Sequence, residues 1–302
     1  MKYIHNIIAG IVFLTSFIVY AMTMAPTTSF WDCGEFIATS VIMGVPHPPG
    51  TPLYLLLGNF FSQLPIFEDI GARVNFISVI ASSFSVMFLY LISVQFIELW
   101  RNKSETINDK LINYGSAFIG ALTFAFTDSH WFNAVEAEVY SLSTFFTAIV
   151  VWLILRWNNK KDGYENVKYI LIIGYMLGLA TGIHLLNLLT LPFIALIIYF
   201  KKYNFSYTGL FYTIVITLLS FTTIYLGIIK GIPNLANDYG LYFTILIVLS
   251  VFPIAYYFIV INKSTTASTV ISFFILILIG FSTYATIFIR ASQHPNINEN
   301  NP

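Results

Sequence analysis

Charged residues are scarce in this chain of 302 residues. Asp, Glu, Lys and Arg make up 9% of it, and 14 acidic residues balance 14 basic ones to a net charge of zero at pH 7. Nucleic acid binding requires a basic stripe, so this balance excludes that class of function. None of the acidic residues falls in the middle of a long apolar run. A proton or ion pathway needs ionisable groups at bilayer depth, so the sequence argues against one.

Cysteine is scarcer still, because Cys33 is the only one in the chain. It cannot form an internal disulfide, and it has no partner at the spacing of metal ligands. The sequence therefore indicates no cofactor and no metal site.

Apolar residues dominate the composition of the chain. Hydrophobic residues make up 57% of the chain, and its mean hydropathy is +0.78. Too few polar groups remain to cover a soluble globule of this size. The composition therefore predicts an all-α, polytopic transmembrane helical bundle in a lipid bilayer.

A spanning helix needs about 20 predominantly apolar residues, and this length predicts about nine spans. They are 6–24, 73–99, 112–127, 138–156, 168–183, 187–200, 206–229, 240–261 and 267–289. The apolar stretch 51–64 is shorter and bounded by proline. We expect it to form a helix at the membrane interface rather than a span.

The orientation of the spans follows from the positions of Lys and Arg, because positive charge is retained on the cytoplasmic side. A cytoplasmic N-terminus leaves three of the 14 basic residues outside, namely Arg73, Lys230 and Arg290. The eleven placed inside are Lys2, Arg101, Lys103, Lys110, Arg156, Lys160, Lys161, Lys168, Lys201, Lys202 and Lys263. All the motifs described below then face the outer compartment.

Residues 2–24 could instead be a cleaved signal peptide, with Lys2 as its basic end and a cleavage site near 23–25. Their apolar run is longer than a usual signal core, and it lacks a clear Ala-x-Ala site. We therefore predict a retained first helix.

The first outer loop carries two carboxylates, Asp32 and Glu35, three residues apart. On a helix they would share one face, where neighbouring carboxylates raise one pKa and leave the other ionised, so one could act as a general base. The alternative is that they cap a helix that begins just beyond Ser29. The rigid Pro-rich turn at 47–52 would hold the imidazole of His47 near the same face, which favours a site.

Several short blocks of the chain occur together in one known family. They are Trp-Asp-x-Gly-Glu-Phe at 31–36, His-Pro-Pro-Gly-x-Pro at 47–52, Trp-Phe-Asn-Ala-Val-Glu-Ala-Glu-Val-Tyr at 131–140, Gly-Leu-x-x-Gly-x-His at 178–184 and Pro-Asn-Ile-Asn-Glu-Asn-Asn-Pro at 295–302. In this order they resemble the domain-of-unknown-function family 2723, classed as glycosyltransferase family 117. That family includes animal protein O-mannosyltransferases and many bacterial membrane proteins. The resemblance covers nearly the whole chain.

The resemblance implies a C-type glycosyltransferase fold with its active site at the outer face of the membrane, which in a bacterial member is the periplasmic side of the inner membrane. It implies a polyprenyl-phosphate-linked sugar as donor and a polypeptide, at Ser or Thr, or a glycan as acceptor. Short interfacial helices at 34–43 and 51–64 would border an opening for the prenyl chain. Asp32 matches the acidic residue that acts as base in an inverting transfer. Because bacterial members continue further, we expect 1–302 to be a single transmembrane domain from the N-terminal part of a longer protein.

Four other residues are candidate substrate-binding groups, and each has a structural alternative. On a helix Glu136 and Glu138, two residues apart, cannot both face the cleft, and we favour Glu138, which could face it or supply charge at a helix start. His184 could donate to the leaving phosphate, or pack against a backbone carbonyl. Arg73 and Arg290 could bind phosphate, or anchor their helices at the interface.

Two other classes of function share the many spans. A transporter or flippase of lipid-linked sugars would usually show internal repeats and midplane polar residues, and the sequence shows no convincing repeat. A non-catalytic membrane assembly protein would not need clustered outer carboxylates.

Overall fold

The computed structural model describes residues 3–101, 106–161, 163–261 and 264–299, with backbone alone at 164 and 165. Three basic residues used in the charge count, Lys2, Lys103 and Lys263, lie outside the described residues. So do the last three residues of the C-terminal block, 300–302.

Within those ranges the chain is helical and contains no β-strand. The α-helices are α1 (Ile4–Thr23), α2 (Cys33–Ile42), α3 (Pro52–Gln63), α4 (Ile70–Arg101), α5 (Ile107–Ala125), α6 (Asp128–Ala134), α7 (Val139–Asn158), α8 (Tyr164–Thr181), α9 (Thr190–Lys202), α10 (Tyr207–Thr222), α11 (Gly231–Tyr239), α12 (Leu241–Ile261), α13 (Thr265–Phe281) and α14 (Ala285–Ala291). Short 3₁₀ segments occupy Leu185–Leu189 and Ser282–Tyr284, and a π-helical segment occupies Thr223–Lys230. The predicted all-α class is confirmed.

Seven stretches of the described chain are long and apolar enough to cross a membrane, which confirms a multi-pass membrane protein. They are Ile4–Thr23, Ile70–Arg101, Val139–Asn158, Leu185–Lys202, Tyr207–Tyr239, Leu241–Ile261 and Thr265–Ala291. The other two predicted spans, 112–127 and 168–183, fall on α5 and α8. Polar residues in the first turn of α5 lower its hydropathy, and the apolar part of α8, Asn166–Thr181, is too short.

The two short helices predicted in the first loop are present as α2 and α3, within one or two residues of the predicted ends. Helix α2 is followed by its cap residue Met43, whose left-handed backbone (φ 51°) lets the N–H of the next residue, Gly44, donate to the Thr39 carbonyl at 2.8 Å. Their position at the membrane interface stays a prediction.

The chain divides into two compact units. The first unit comprises Met1–Pro46, Tyr54–Trp152 and Pro295–Ile297, and the second unit comprises His47–Leu53, Leu153–His294 and Asn298–Pro302.

In the first unit, α1, α4 and α5 pack side by side around a core of small residues. Ala9 of α1 and Ala117 and Ala121 of α5 are buried there, and small side chains let helices in a bilayer approach closely. The hydroxyl of Tyr20 donates to the Ala125 carbonyl at 2.7 Å, which ties α1 to the end of α5.

In the second unit, α8 and α13 form the closest helix pair, which glycines make possible. A Cβ at Gly174 would lie 2.8 Å from the Phe273 carbonyl oxygen, and one at Gly280 would lie 2.6 Å from the Leu179 nitrogen. Gly174 thus lies against Phe273 and Gly178 lies against Ile277. Because the residue numbers rise in the same direction along both helices, the two helices run parallel. Glycines four apart on one face, as at 174, 178 and 182, favour this kind of contact between membrane helices.

Candidate active site

Asp32 lies at the N-terminus of α2, where its side chain is exposed and makes no capping hydrogen bond. Its backbone carbonyl accepts from the N–H of Phe36 at 2.9 Å, so the residue begins the helix without using its carboxylate. Glu35 lies half-buried in the first turn. Both carboxylates therefore lie at a helix start, as the alternative predicted, but Asp32 makes no side-chain cap bond.

A second carboxylate pair lies in the short segment between α6 and α7. Glu136 is 2% exposed and Glu138 is 5% exposed. The Ser29 hydroxyl donates to Glu136 Oε2 at 2.7 Å, which connects this segment to the first loop. The N–H of Ala25 adds a bond to the Val135 carbonyl at 2.9 Å.

Glu138 has both features that the sequence left as alternatives. Its Oε2 accepts from the N–H of Val139 at 3.1 Å at the start of α7, as a helix-start charge would. It is nevertheless buried in the same cluster as Glu136. Helical spacing predicts that two residues separated by one position point apart, but the segment is not helical and that argument does not apply.

Cys33 of α2 and Tyr54 of α3 lie close enough to Glu136 and Glu138 for these carboxylates to affect their pKa values. Burial raises the pKa of the Cys33 thiol to about 12, and the negative charges of Glu136 and Glu138 add to the rise. Burial also raises the pKa of Tyr54, and Glu138 contributes there as well. The ring of Tyr54 packs against Phe36 with centroids 5.3 Å apart. These six residues form what we call the carboxylate cluster, comprising Ser29, Cys33, Phe36, Tyr54, Glu136 and Glu138.

The environment of Cys33 gives a prediction about its reactivity. Only the thiolate is nucleophilic, and the raised pKa keeps Cys33 protonated until the pH approaches about 12. The side chain is also 0% exposed. We therefore expect a water-soluble thiol reagent to leave Cys33 unmodified in the folded protein at pH 8 and to modify it after denaturation. Rapid labelling of the folded protein would contradict the buried cluster.

Asn75 lies on α4, within the predicted span 73–99, and holds the first loop against this helix. It is fully buried, and its Nδ2 donates to the carbonyls of Ala25 and Thr27 at 2.8 and 2.9 Å. The sequence analysis did not select it, nor Ser29, Glu136 or Tyr54 of the cluster. A polar residue inside the apolar run 73–99 was a usable signal for Asn75, because membrane helices bury such groups only with partners.

The guanidinium of Arg73 contacts backbone carbonyls of the preceding turn. Its Nε donates to Phe67 at 2.7 Å and its Nη1 to Ser62 at 2.9 Å. Its Nη2 adds a bond to Glu68 at 3.3 Å. These bonds give Arg73 a structural role in joining α3 to α4.

The second unit contains the two candidate histidines. His47 begins a tight turn in which its carbonyl accepts from the N–H of Gly50 at 2.9 Å, and its side chain is half-buried. The N–H of Leu53 bonds the Gly182 carbonyl at 3.0 Å, so the structure brings the 47–53 segment to the loop that precedes His184.

His184 lies at the start of a 3₁₀ segment, where its Nδ1 accepts from the N–H of Leu186 at 3.2 Å. Burial lowers its pKa, so the ring is neutral at pH 7. An accepting Nδ1 places the proton of a neutral imidazole on Nε2. The local structure therefore supplies an oriented neutral imidazole at this position.

Arg290 lies in the last turn of α14, in the second unit. Its Nη1 donates to Oε1 of Gln293, just beyond the helix. The structure leaves its predicted phosphate contact untested.

A match to a family profile identifies the family of this chain. The sequence profile described as Protein O-mannosyl-transferase TMEM260 N-terminal domain matches residues 32–207, which is more than half of the chain. The chain belongs to this family. Similar proteins include "Protein O-mannosyl-transferase tmem260" of Dictyostelium discoideum, 29% identical over 161 residues, and "Protein O-mannosyl-transferase TMEM260" of Mus musculus, 25% identical over 169 residues.

The alignments cover only part of each protein. They include 53% and 56% of this chain but 18% and 22% of the two relatives. No solved structure matches the chain.

The TMEM260 N-terminal domain match contains Asp32, Glu35, His47, Glu138, His184 and Arg73, and it stops before Arg290. The predicted O-mannosyltransferase-like family is thus confirmed over 32–207, rather than over nearly the whole chain. The C-terminal block lies outside the matched range. The two relatives named here are eukaryotic, so the bacterial assignment and the family 2723 label stay predictions.

Proposed function

We propose that this chain is part of a membrane mannosyltransferase. It would move mannose from a polyprenyl-phosphate-linked donor to a Ser or Thr hydroxyl of a polypeptide at the outer face of the membrane. The observation that carries the proposal is the TMEM260 N-terminal domain match, because its range contains Asp32, Glu35 and both carboxylates of the cluster. Both relatives are named as protein O-mannosyl-transferases.

Asp32 is the proposed general base. Its exposed carboxylate can take the proton from an acceptor hydroxyl, since it is not used in a helix cap. The hydroxyl oxygen then bonds to the anomeric carbon while the bond from that carbon to the phosphate oxygen breaks. The electron pair leaves with the polyprenyl phosphate, and in-line attack inverts the anomeric carbon. Glu35, on the first turn of the same helix, would position Asp32 or the acceptor.

The carboxylate cluster would keep the base in place. The Ser29 to Glu136 bond ties the loop before α2 to the segment before α7. We also propose that four residues contact the substrates, and this part of the proposal rests on their positions in the sequence. They are Glu138, His47, His184 and Arg290. Arg73 is retained with them, although its described bonds give it a structural role.

A contact in the first unit joins two segments that the proposed orientation places on the same side of the membrane. The N–H of Val45, in the first outer loop, bonds the carbonyl of Ile297, beyond the last span, at 2.9 Å.

Contacts in the second unit also join segments that the proposed orientation places on one side of the membrane. Nζ of Lys201 donates to the carbonyls of Trp157 and Lys160, both at 2.7 Å. These bonds join two loops that the charge count places in the cytoplasm. The Leu53 to Gly182 bond joins two segments that it places outside.

Cysteine labelling tests this orientation. Single cysteines at the exposed positions Thr28, Ser129 and Asn237 should react with an impermeant thiol reagent added to the outer side of intact cells. Cysteines at exposed Asn108 and Asn159 should react only after the membrane is permeabilised. The unmodified chain, whose Cys33 is buried, is the background control. The opposite pattern would place the cluster in the cytoplasm and end the proposed donor assignment.

A donor comparison tests the chemistry. Detergent-solubilised protein is incubated with mannose linked either to polyprenyl phosphate or to a nucleotide, and with a peptide containing Ser and Thr. We expect transfer from the lipid-linked donor only, and none to a peptide in which Ala replaces those residues. Transfer from the nucleotide donor would contradict the proposed substrate.

A further inference from the structure

The second unit contains an open cleft of about 730 Å³ that the proposed reaction does not use. It lies beside the N-terminal ends of the parallel helices α8 and α13. Asn166 and Ile170 of α8 line one side, Thr265 and Thr269 of α13 line another, and Lys202 at the end of α9 completes it.

The lining changes character along the helices. Hydroxyls of Thr265, Thr266 and Ser268 lie in the first turn of α13, while Val270 follows in the next turn. On α8 the buried Asn166 is likewise followed by apolar Ile170. A cleft with polar groups at the helix ends and apolar walls beyond them suits an amphipathic ligand.

Lysines are frequent at this end of the unit, where the sequence also contains Asp162 and Glu165. Lys201 is held by the Trp157 and Lys160 carbonyls, with its Nζ 4.1 Å from the centroid of the Trp157 ring, and Trp157 and Lys202 both line the cleft. The exposed Lys160, Lys161 and Lys168 belong to the same segments. None of the described residues that line the cleft is acidic. Retention of positive charge in the cytoplasm explains the lysines, but it does not explain a hydroxyl-lined cleft beside them.

We propose that this cleft binds an anionic phospholipid of the cytoplasmic leaflet. The phosphate would accept hydrogen bonds from the hydroxyls of α13 and a charge-assisted bond from Lys202. The first carbons of the acyl chains would lie along Ile170 and Val270. Basic pockets between membrane helices on the cytoplasmic side recognise anionic headgroups through these interactions. The site takes no part in the proposed transfer, and its place in the cytoplasmic leaflet rests on the proposed orientation of the spans.

Native mass spectrometry of the purified full chain, with phosphatidylglycerol or phosphatidylcholine added, tests the proposal. We expect the wild-type protein to retain one phosphatidylglycerol more tightly than phosphatidylcholine. Lys202→Gln should weaken that binding about five-fold, the change that corresponds to about 1 kcal/mol for one lysine near a membrane surface. Ser268→Ala is a second, milder variant that should also weaken binding and that conserves the charge.

Lys230→Gln is the matched control, because Lys230 is an exposed lysine of the same unit that does not line the cleft. It should retain the lipid like the wild type. Inorganic phosphate at the same concentration should not compete, since it lacks acyl chains. Equal retention by the wild type, Lys202→Gln and Ser268→Ala would overturn the proposal. Competition by inorganic phosphate would overturn the lipid assignment and indicate a free-anion site.

Discussion

Asp32→Asn is expected to lower mannosyl transfer by about 10²–10⁴-fold, the usual contribution of a general base. Asparagine preserves the size of the side chain but cannot accept the proton of the acceptor hydroxyl. Because Asp32 is exposed and makes no capping hydrogen bond, the substitution should leave α2 and the fold unchanged. The measurement is the initial rate of peptide mannosylation, with thermal unfolding as the check on folding.

Glu35→Gln is the matched comparison, since it makes the same chemical change one turn further along α2. It should lower the rate less than Asp32→Asn does. An inactive Glu35→Gln beside a fully active Asp32→Asn would move the role of base to Glu35. Two fully active variants would refute a base on α2.

Gly178→Ala is expected to destabilise the protein by about 1–3 kcal/mol or more, the usual cost of overpacking. The added Cβ would lie against the carbonyl of Ile277 and 2.9 Å from its Cα. These are backbone atoms of α13, so no side chain can rotate away and the two helices must separate. The measurement is the thermal unfolding midpoint in detergent, which should fall.

Gly120→Ala is the control for this prediction. It adds the same methyl group to α5 at a position where no atom beyond the adjoining backbone of its own helix lies within 4 Å of the new Cβ. Alanine has the higher helix propensity, by about 1 kcal/mol. The midpoint of Gly120→Ala should therefore stay the same or rise. Equal losses in both variants would show that the close approach of α8 and α13 is not what Gly178 provides.

The fold class was predictable because apolar composition and run length are properties of the chain alone. Whether α5 and α8 cross the membrane was not, because a few residues decide this for a helix near the limiting length. Asn108, Asp109 and Lys110 make α5 more polar, and the apolar part of α8 is short. Glycines four apart on α8 are a sequence signal of close helix packing, but they do not identify α13 as the partner helix.

The site was predictable where it depended on local spacing. Asp32 and Glu35 do share the start of a helix. Glu136 was rejected because residues two apart diverge on a helix, and that reason fails where the chain is not helical. The partners of a buried group, such as Ser29 for Glu136 and Ala25 for Asn75, are distant in sequence. Only the folded chain brings them together.

The most direct test of the central claim uses sealed proteoliposomes that contain the protein, labelled polyprenyl-phosphate mannose and an acceptor peptide. The mass of the peptide and the side of the membrane on which the label lies are both measured. The account predicts that the peptide gains one hexose and that Asp32→Asn abolishes most of the gain. Label that crosses the bilayer while the peptide stays unmodified would contradict it and indicate a flippase, and an unchanged peptide with no movement would indicate an assembly protein.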